Sequence, residues 1–463
     1  MSGAYNTINI GLSGLLAQRQ ALDIRSHNIA NATTEGYRRQ EAMLQAVPGL
    51  PPPGNMNALL GGQWGAGVWA TNVRHSHESF LDLQTRITKA ALGRWGAVST
   101  TLREVEAILQ PMPGEDLSAQ LDRFWNAWEA VAAQPEDIGA RYALREQAKA
   151  LADAFRQAAL RVQSIRTTSE ISLANRIEEV NTLAREIAEL NRVIAVAVAD
   201  NRTPNDDLDR RDLLLNRLAE LTGAMPFTSE EGHLIIYLDG RPLIQGNSAS
   251  PLSFATTAAG VEIRSSYDDG LVAIANGEIG GLLYARDVAV PTYLEQLDTL
   301  VSTLITEVNA LHQAGFGLDN GTGRDFFVAG GAAGTIALEA SIESDVRAIA
   351  AAAGPDLPGD GSVAQQIADL RTSPVLVGRS LNDFAHALLG LVGSDVRAAN
   401  SAITAYQASW EQIRAQEQSV SGVSTDEEMA YLIQCQRAYE AAARVIQVGD
   451  EMLRTIIERL GVS

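Results

Sequence analysis

Chemistry in this sequence would have to come from six histidines, one cysteine and two acidic runs. His75 and His77 are the one close histidine pair, and with no cysteine near them their spacing suits a strand face better than a zinc shell. Asp206, Asp207, Asp209 and Asp212 are dense, yet a calcium loop needs oxygens at alternating positions, a glycine and a distal glutamate. These acids open a helix beside Arg210 and Arg211, so complementation of the helix dipole is the better account. Asp319 to Asp325 (DNGTGRD) looks more like a calcium turn but lacks the closing acid. Gly61, Gly62, Gly65 and Gly67 are not framed by the strand and helix of a dinucleotide site. Cys435 stands between Gln434 and Gln436 with no second cysteine to pair with, and reads as a small, partly buried apolar residue. There is no G-x-S-x-G, P-loop or H-E-x-x-H sequence. The expectation is no enzyme, no cofactor and no metal.

What the elements position instead is apolar surface. Near the start, Ile8, Leu15, Leu22 and Ile29 recur every seven residues, with Leu12 four after the first. Near the end, Leu432, Tyr439, Ile446, Leu453 and Leu460 do the same, with Met429, Ala443 and Ile457 on the adjoining row. A seven-residue repeat makes a narrow seam that wants another helix. The two ends are therefore expected to pair with each other, with copies of themselves or with a partner. Seams that one end cannot bury alone should fray in a lone subunit and order on assembly. The other reading makes them the buried core of one stable domain.

With 463 residues the chain has room for two to four domains, and 46% hydrophobic residues can build real cores. A net charge of −20 repels phosphate backbones and anionic lipid, so neither nucleic acid nor membrane is expected as a partner. The opening MSGAYNTINI lacks the features of a cleavable signal. No run approaches the ~20 apolar residues of a membrane-spanning helix.

The pattern divides the chain into nested parts. Residues 1–40 hold a helix over 4–30, closed by a turn-forming stretch from Asn28 to Tyr37. Residues 41–221 begin the helical body: irregular to about residue 80, then helical to Asp200, with Pro204 opening a further helix. Residues 222–285 read as an inserted β domain, with a tight turn at Asp239 and Gly240 and further short strands at 251–256, 261–265 and 271–275. Residues 286–423 complete the body, with an irregular glycine- and alanine-rich patch at 315–360 in which short strands are expected. Residues 424–463 form a last helix, marked by capping-box spacing at Ser424 and Glu427. The fold class is mainly α with a small inserted β domain: a long antiparallel helix bundle as body, and terminal helices forming a coiled-coil-like terminal domain.

Gly11 to Leu15 (GLSGL), Leu22 to Asn31 (LDIRSHNIAN) and Thr34 to Tyr37 (TEGY) together resemble the opening shared by bacterial flagellar rod, hook and hook-associated proteins. Three later stretches resemble the family of the first hook-associated protein: Pro204 to Leu215 (PNDDLDRRDLLL); Gly277 to Leu283 (GEIGGLL) with Tyr293, Leu294, Leu297 and Asp298; and Asp426 to Ala430 (DEEMA) with Ala438, Tyr439 and Asp450 to Leu453 (DEML). Gly359 to Ala364 (GDGSVA) adds to these. Many members of that family carry a longer central insertion, so a reduced outer domain is expected here.

The resemblance implies an extracellular structural protein of the flagellum, exported without a cleavable signal through the flagellar secretion channel. It would self-assemble as a ring or helical layer at the hook–filament junction. Its partners would be further copies, the hook protein, a second junction protein next to the filament, and a secretion chaperone masking the C-terminal helix. Leu432, Tyr439, Ile446, Leu453 and Leu460 would form the assembly seam, with Met429 and Ile457 alongside, and Ile8, Leu12, Leu15, Leu22 and Ile29 facing them or a neighbour. Asn28, Asn31, Gly36 and Tyr37 match the shared axial motif; they suit a helix cap and turn, which is compatible with a contact surface or export cue. Two alternatives remain: a hook or distal-rod axial protein, which shares the opening motif, and a cytoplasmic coiled-coil scaffold or adaptor.

Overall fold

The computed structural model describes residues 2–49, 65–75, 78–110, 116–229, 233–257 and 260–460. Its axis is α4 (Ile138–Ala199), 62 residues without a break, or about 93 Å at 1.5 Å per residue. Asp137 caps its start by accepting from the Gly139 amide at 2.7 Å, and Asn201, with a left-handed φ of 55°, turns the chain away after its end. Around this axis run α2 (Ser79–Leu109), α3 (Leu117–Ala133) and α5 (Asn205–Thr222). Later in the chain come α6 (Gly277–Tyr284), α7 (Val290–Ala314), two short helices α8 (Ala340–Ser344) and α9 (Ser362–Asp369), and α10 (Leu381–Ser421). A π-turn, Ala285–Ala289, joins α6 to α7 without a break.

Two separate cores share α4. The first packs its N-terminal half against α2, α3, α7, α9 and α10, around Phe124, Trp125, Trp128, Phe155, Phe326 and Phe327, all fully buried. The Trp128 and Phe326 rings lie 5.1 Å apart, and the Trp125 indole donates to Asn382 Oδ1 at 2.8 Å, so the polar handle of Trp125 is satisfied inside the core. The second core packs Leu173, Ile177, Val180 and Ile187 of α4 against α5 and the β structure.

That β structure is a meander, β3 (Pro226–Thr228), β4 (Leu234–Leu238), β5 (Arg241–Gln245) and β6 (Ser248–Ala249), beside a hairpin of β7 (Leu252–Thr257) and β8 (Gly260–Ser265). The β4–β5 turn has positive φ at both Asp239 (49°) and Gly240 (75°), as a primed two-residue turn requires. Asn181 of α4 acts as a strand partner, accepting from the Leu252 amide at 2.7 Å and donating to its carbonyl at 2.9 Å. Residues 271–275 make a single bridge, Arg264 to Leu271, rather than the expected strand.

Two irregular stretches differ from expectation. Residues 41–80 contain an antiparallel ribbon, β1 (Gln40–Ala46) and β2 (Val68–His75), bulged between Met43 and Leu44 and packed on the first helix. Residues 315–360 contain no strand, only isolated bridges such as Phe316 to Ala352. Buried Asn309 organises this patch: its Oδ1 accepts from the Phe326 and Phe327 amides at 2.9 Å, and its Nδ2 donates to the Phe327 carbonyl at 2.7 Å. At the ends of the chain, α1 (Ser2–Ala30) and α11 (Thr425–Leu460) lie antiparallel against each other.

Candidate assembly surface

The α1–α11 pair is built on small residues. Ile8 sits over Gly449, where a Cβ would stand 2.6 Å from Ile8 Cγ1. In return Ile446 sits over Gly11, where a Cβ would stand 2.8 Å from Ile446 Cγ1, and Gly14 faces Ala442. Each isoleucine fills the gap left by a missing side chain on the opposite helix, so the backbones approach closely. Ala17, Ala21 and Ile24 continue the buried face of α1. Of the expected seam residues, Ile8, Leu15, Leu22 and Ile29, and Leu432, Tyr439, Ile446 and Leu453, are half-buried along this contact. Leu12, Met429 and Ile457 are exposed in the single chain and take no part in it. Leu460 ends α11, and its side chain lies outside the described residues. The sequence pattern missed the glycines because a row of leucines does not reveal which positions the partner helix needs empty.

One end of the seam is closed by a polar bracket. Glu428 has a fully buried carboxylate that pairs with Arg25 Nη1 at 2.9 Å, stands 3.4 Å from Arg39 Nε and accepts from Asn28 Nδ2 at 3.0 Å. Asn28, also fully buried, donates to the Gln40 carbonyl at 2.9 Å and accepts from the Gln40 amide at 3.0 Å and the Tyr37 hydroxyl at 2.7 Å. It therefore locks the start of β1 to α1 and both to α11. Burial, with Asp206, Asp209 and Glu428 nearby, raises the Tyr37 hydroxyl above the usual phenol range and keeps it a donor. Asn31 holds the turn, donating to the His27 carbonyl at 3.1 Å and accepting from Thr34 Oγ1 at 3.2 Å. Gly36 takes a φ of 78°, and a Cβ there would lie 2.5 Å from Leu213 Cγ, so the position admits no side chain on either count.

The acidic run has a second role at this turn, beside complementing the helix dipole. Asp206 and Asp207 do stand in the first turn of α5. Asp206, though, accepts from Gln40 Nε2 at 2.9 Å, and Asp209 Oδ2 accepts from the Arg38 amide at 3.1 Å. Asp212 accepts from Arg38 at 2.6 Å and from Arg86 at 3.1 Å, and Asp82 pairs with Arg38 as well. Burial works against the Arg38 charge, and Asp212, Asp82 and Asp209 more than offset it. The Pro204–Leu215 stretch and the Tyr37–Arg38 stretch are thus two halves of one ion-pair network fixing the terminal helices to the body. Arg25, Arg38, Arg39, Asp82 and Glu428 were the functional residues the sequence pattern overlooked. The signal available was the adjacent Arg38 and Arg39 in a chain short of cations.

The remaining candidates fall elsewhere. His75 ends β2 with Nδ1 3.5 Å from Asp209; His77, Gly61 and Gly62 lie outside the described residues. The Asp319 oxygens are taken by Arg324 at 2.7 Å and the Gly321 amide at 3.0 Å. Cys435 is half-buried on α11, its thiol raised by burial.

The helical domain of the flagellar hook-associated protein FlgK matches residues 102–327. A flagella basal body rod protein family matches residues 8–38, and the flagellar basal body rod FlgEFG protein C-terminal family matches 415–459. The two outer matches coincide with the paired helices. Flagellar hook-associated protein 1 of Bacillus subtilis is 26% identical over 504 residues, covering 100% of this chain and 99% of that protein. The protein of the same name from Salmonella typhimurium is 28% identical over 337 residues, covering 70% of this chain and 59% of that protein. The solved flagellar hook junction protein FlgK from Burkholderia pseudomallei shares the fold, with a TM-score of 0.66 at 15% identity over 73% of this chain and 100% of that one.

Proposed function

Because this chain belongs to the flagellar hook-associated protein 1 family, we propose that its paired ends are the surface by which it assembles as the junction layer between hook and filament. It is a structural component of the bacterial flagellum, and the match of its middle to the hook-associated helical domain favours this over a hook or rod protein. The observation that supports the assembly role is the outer side of the α1–α11 pair. Tyr5, Leu12 and Leu16 leave an apolar stripe exposed on α1, and Met429, Val448, Met452 and Ile457 expose more on α11. Apolar rows already half-used within one chain can be buried only by further copies or a partner.

In this reading Ile8, Leu15, Leu22, Ile29, Leu432, Tyr439, Ile446 and Leu453 hold the pair together, while Leu12, Met429 and Ile457 face neighbouring subunits. Residues 1–40 and 424–463 act as one terminal domain, 41–221 and 286–423 as the body, and 222–285 as the outer β domain. The partners are the hook protein on one side and a second junction protein on the other. Before export a small helical chaperone covers α11. Electron microscopy of cells lacking the protein, with flagellin assayed in the medium, tests the role. Hooks without filaments and flagellin lost to the medium are expected; missing hooks move the protein inward, and normal filaments overturn the reading.

A further inference from the structure

We propose that a small cavity at the start of α4, on the first core and apart from the assembly surface, binds one small oxyanion through Arg141. The cavity has a volume of about 130 Å³ and is lined by Arg141, Phe316, Leu318, Asn320, Asp356 and Leu357 among others. At roughly 30 Å³ per water it holds about four waters, the size of a phosphate or a short carboxylate and too small for a nucleotide.

Arg141 is 1% exposed, and its charge has no carboxylate within ion-pair distance among the described residues. Its Nε donates to the Pro135 carbonyl at 2.8 Å and its Nη1 to the Ile349 carbonyl at 2.5 Å. Both acceptors are neutral, and among the described residues Nη2 has no partner. A guanidinium taken out of water is stabilised by a counter-charge in fork geometry, and two carbonyls do not supply one. Asp319, whose charge favours the Arg141 cation, is itself paired with Arg324 at 2.7 Å, and Asp356 on the cavity wall is held by Asn320 Nδ2 at 2.7 Å. Burial lowers the Arg141 pKa to about 10, so the group is still a cation at neutral pH.

The rim is set in advance. Asn320 and Asp356 both adopt left-handed φ, 57° and 59°, and hold each other there, the Asp356 amide donating to Asn320 Oδ1 at 3.0 Å. The net charge of −20 does not oppose such a ligand at this depth, because the field of distant exposed acids is screened within about 8–10 Å while the guanidinium is in contact.

Titration calorimetry of the full chain with inorganic phosphate, then acetate, at constant ionic strength set by chloride, tests the assignment. Saturable binding of one anion per chain is expected, weakened at least tenfold in Arg141→Gln. Leu357 is 52% exposed on the rim, so Leu357→Trp changes the mouth without touching the core and should abolish binding. Tighter phosphate than acetate assigns a phosphate-like ligand, and the reverse a carboxylate. No saturable heat with either anion overturns the proposal, as does unchanged affinity in both variants. If Arg141→Gln fails to fold, Leu357→Trp alone decides.

Discussion

Glu428 joins three groups from the other end of the chain, so its removal strands them together. Arg25 keeps 14% of its side-chain surface and Glu428 none, which makes this a buried pair whose breaking leaves an uncompensated charge. Glu428→Ala is expected to cost about 3 kcal/mol, read as faster amide exchange through α1. Asp426→Ala, two residues away on the opposite side of α11 and exposed, should stay within about 0.5 kcal/mol of wild type. His312 provides a pH-dependent counterpart. Its Nδ1 donates to the Arg324 carbonyl at 2.8 Å and its Nε2 accepts from the Ala350 amide at 2.9 Å, an arrangement only the neutral ring satisfies. Burial pushes its pKa from 6.5 down to about 4. Between those values the unfolded chain takes up the proton first, so the contribution is complete above pH 6.5 and is lost as pH falls towards 4, to about 3 kcal/mol. Urea unfolding should show the gap between wild type and His312→Gln narrowing over that range; a constant gap would count against a neutral buried ring.

Among the elements, the α1–α11 pair depends on what is absent at two positions. Gly11→Val and Gly449→Val each drive a side chain into the facing isoleucine, and each should destabilise the pair by about 1–3 kcal/mol. Loss of helical protection confined to α1 and α11, with α3 and α4 unchanged, is the expected exchange pattern; loss spread evenly over the chain would contradict it. The long rows Ile8–Ile29 and Leu432–Leu453 were legible because large apolar residues at helical spacing declare themselves. The depth of contact was not, because Gly11 and Gly449 matter only once the partner helix is in register. The ribbon of β1 and β2 stayed hidden for a related reason: QEAMLQA and VWATNVRH alternate poorly, and α1 rather than a second sheet supports them. Asn181 and Asn309 gave no sign in the sequence, since their value lies in replacing a missing backbone partner for residues far along the chain. Of the two anchoring halves, Arg38 went unread and Asp212 was read only as part of the helix start, as nothing local links them.

At the scale of the molecule, two cores strung on α4 should unfold as more than one cooperative unit. Calorimetry is expected to show two transitions, with Phe124→Ala lowering one and Ile177→Ala the other, each by about 2–5 kcal/mol. A single transition moved by both would mean that α4 couples the cores rigidly. The exposed stripe gives the complementary case: Leu12→Ser with Ile457→Ser should leave melting unchanged and reduce polymerisation by sedimentation. The antiparallel closure of the ends also sets an order in time. Asn28 and Glu428 meet across 400 residues, so their contact closes a loop holding nearly all of the chain between them. At equilibrium that length matters little, since each doubling of a loop adds only about 0.6 kcal/mol. Kinetically it matters greatly, because the first helix has no mate until the last has arrived. A chain delivered from either end therefore spends the whole interval with one seam bare, and a chain cut short before Glu428 never closes it. The contact thereby reports that both helices, and all that lies between them, have been made.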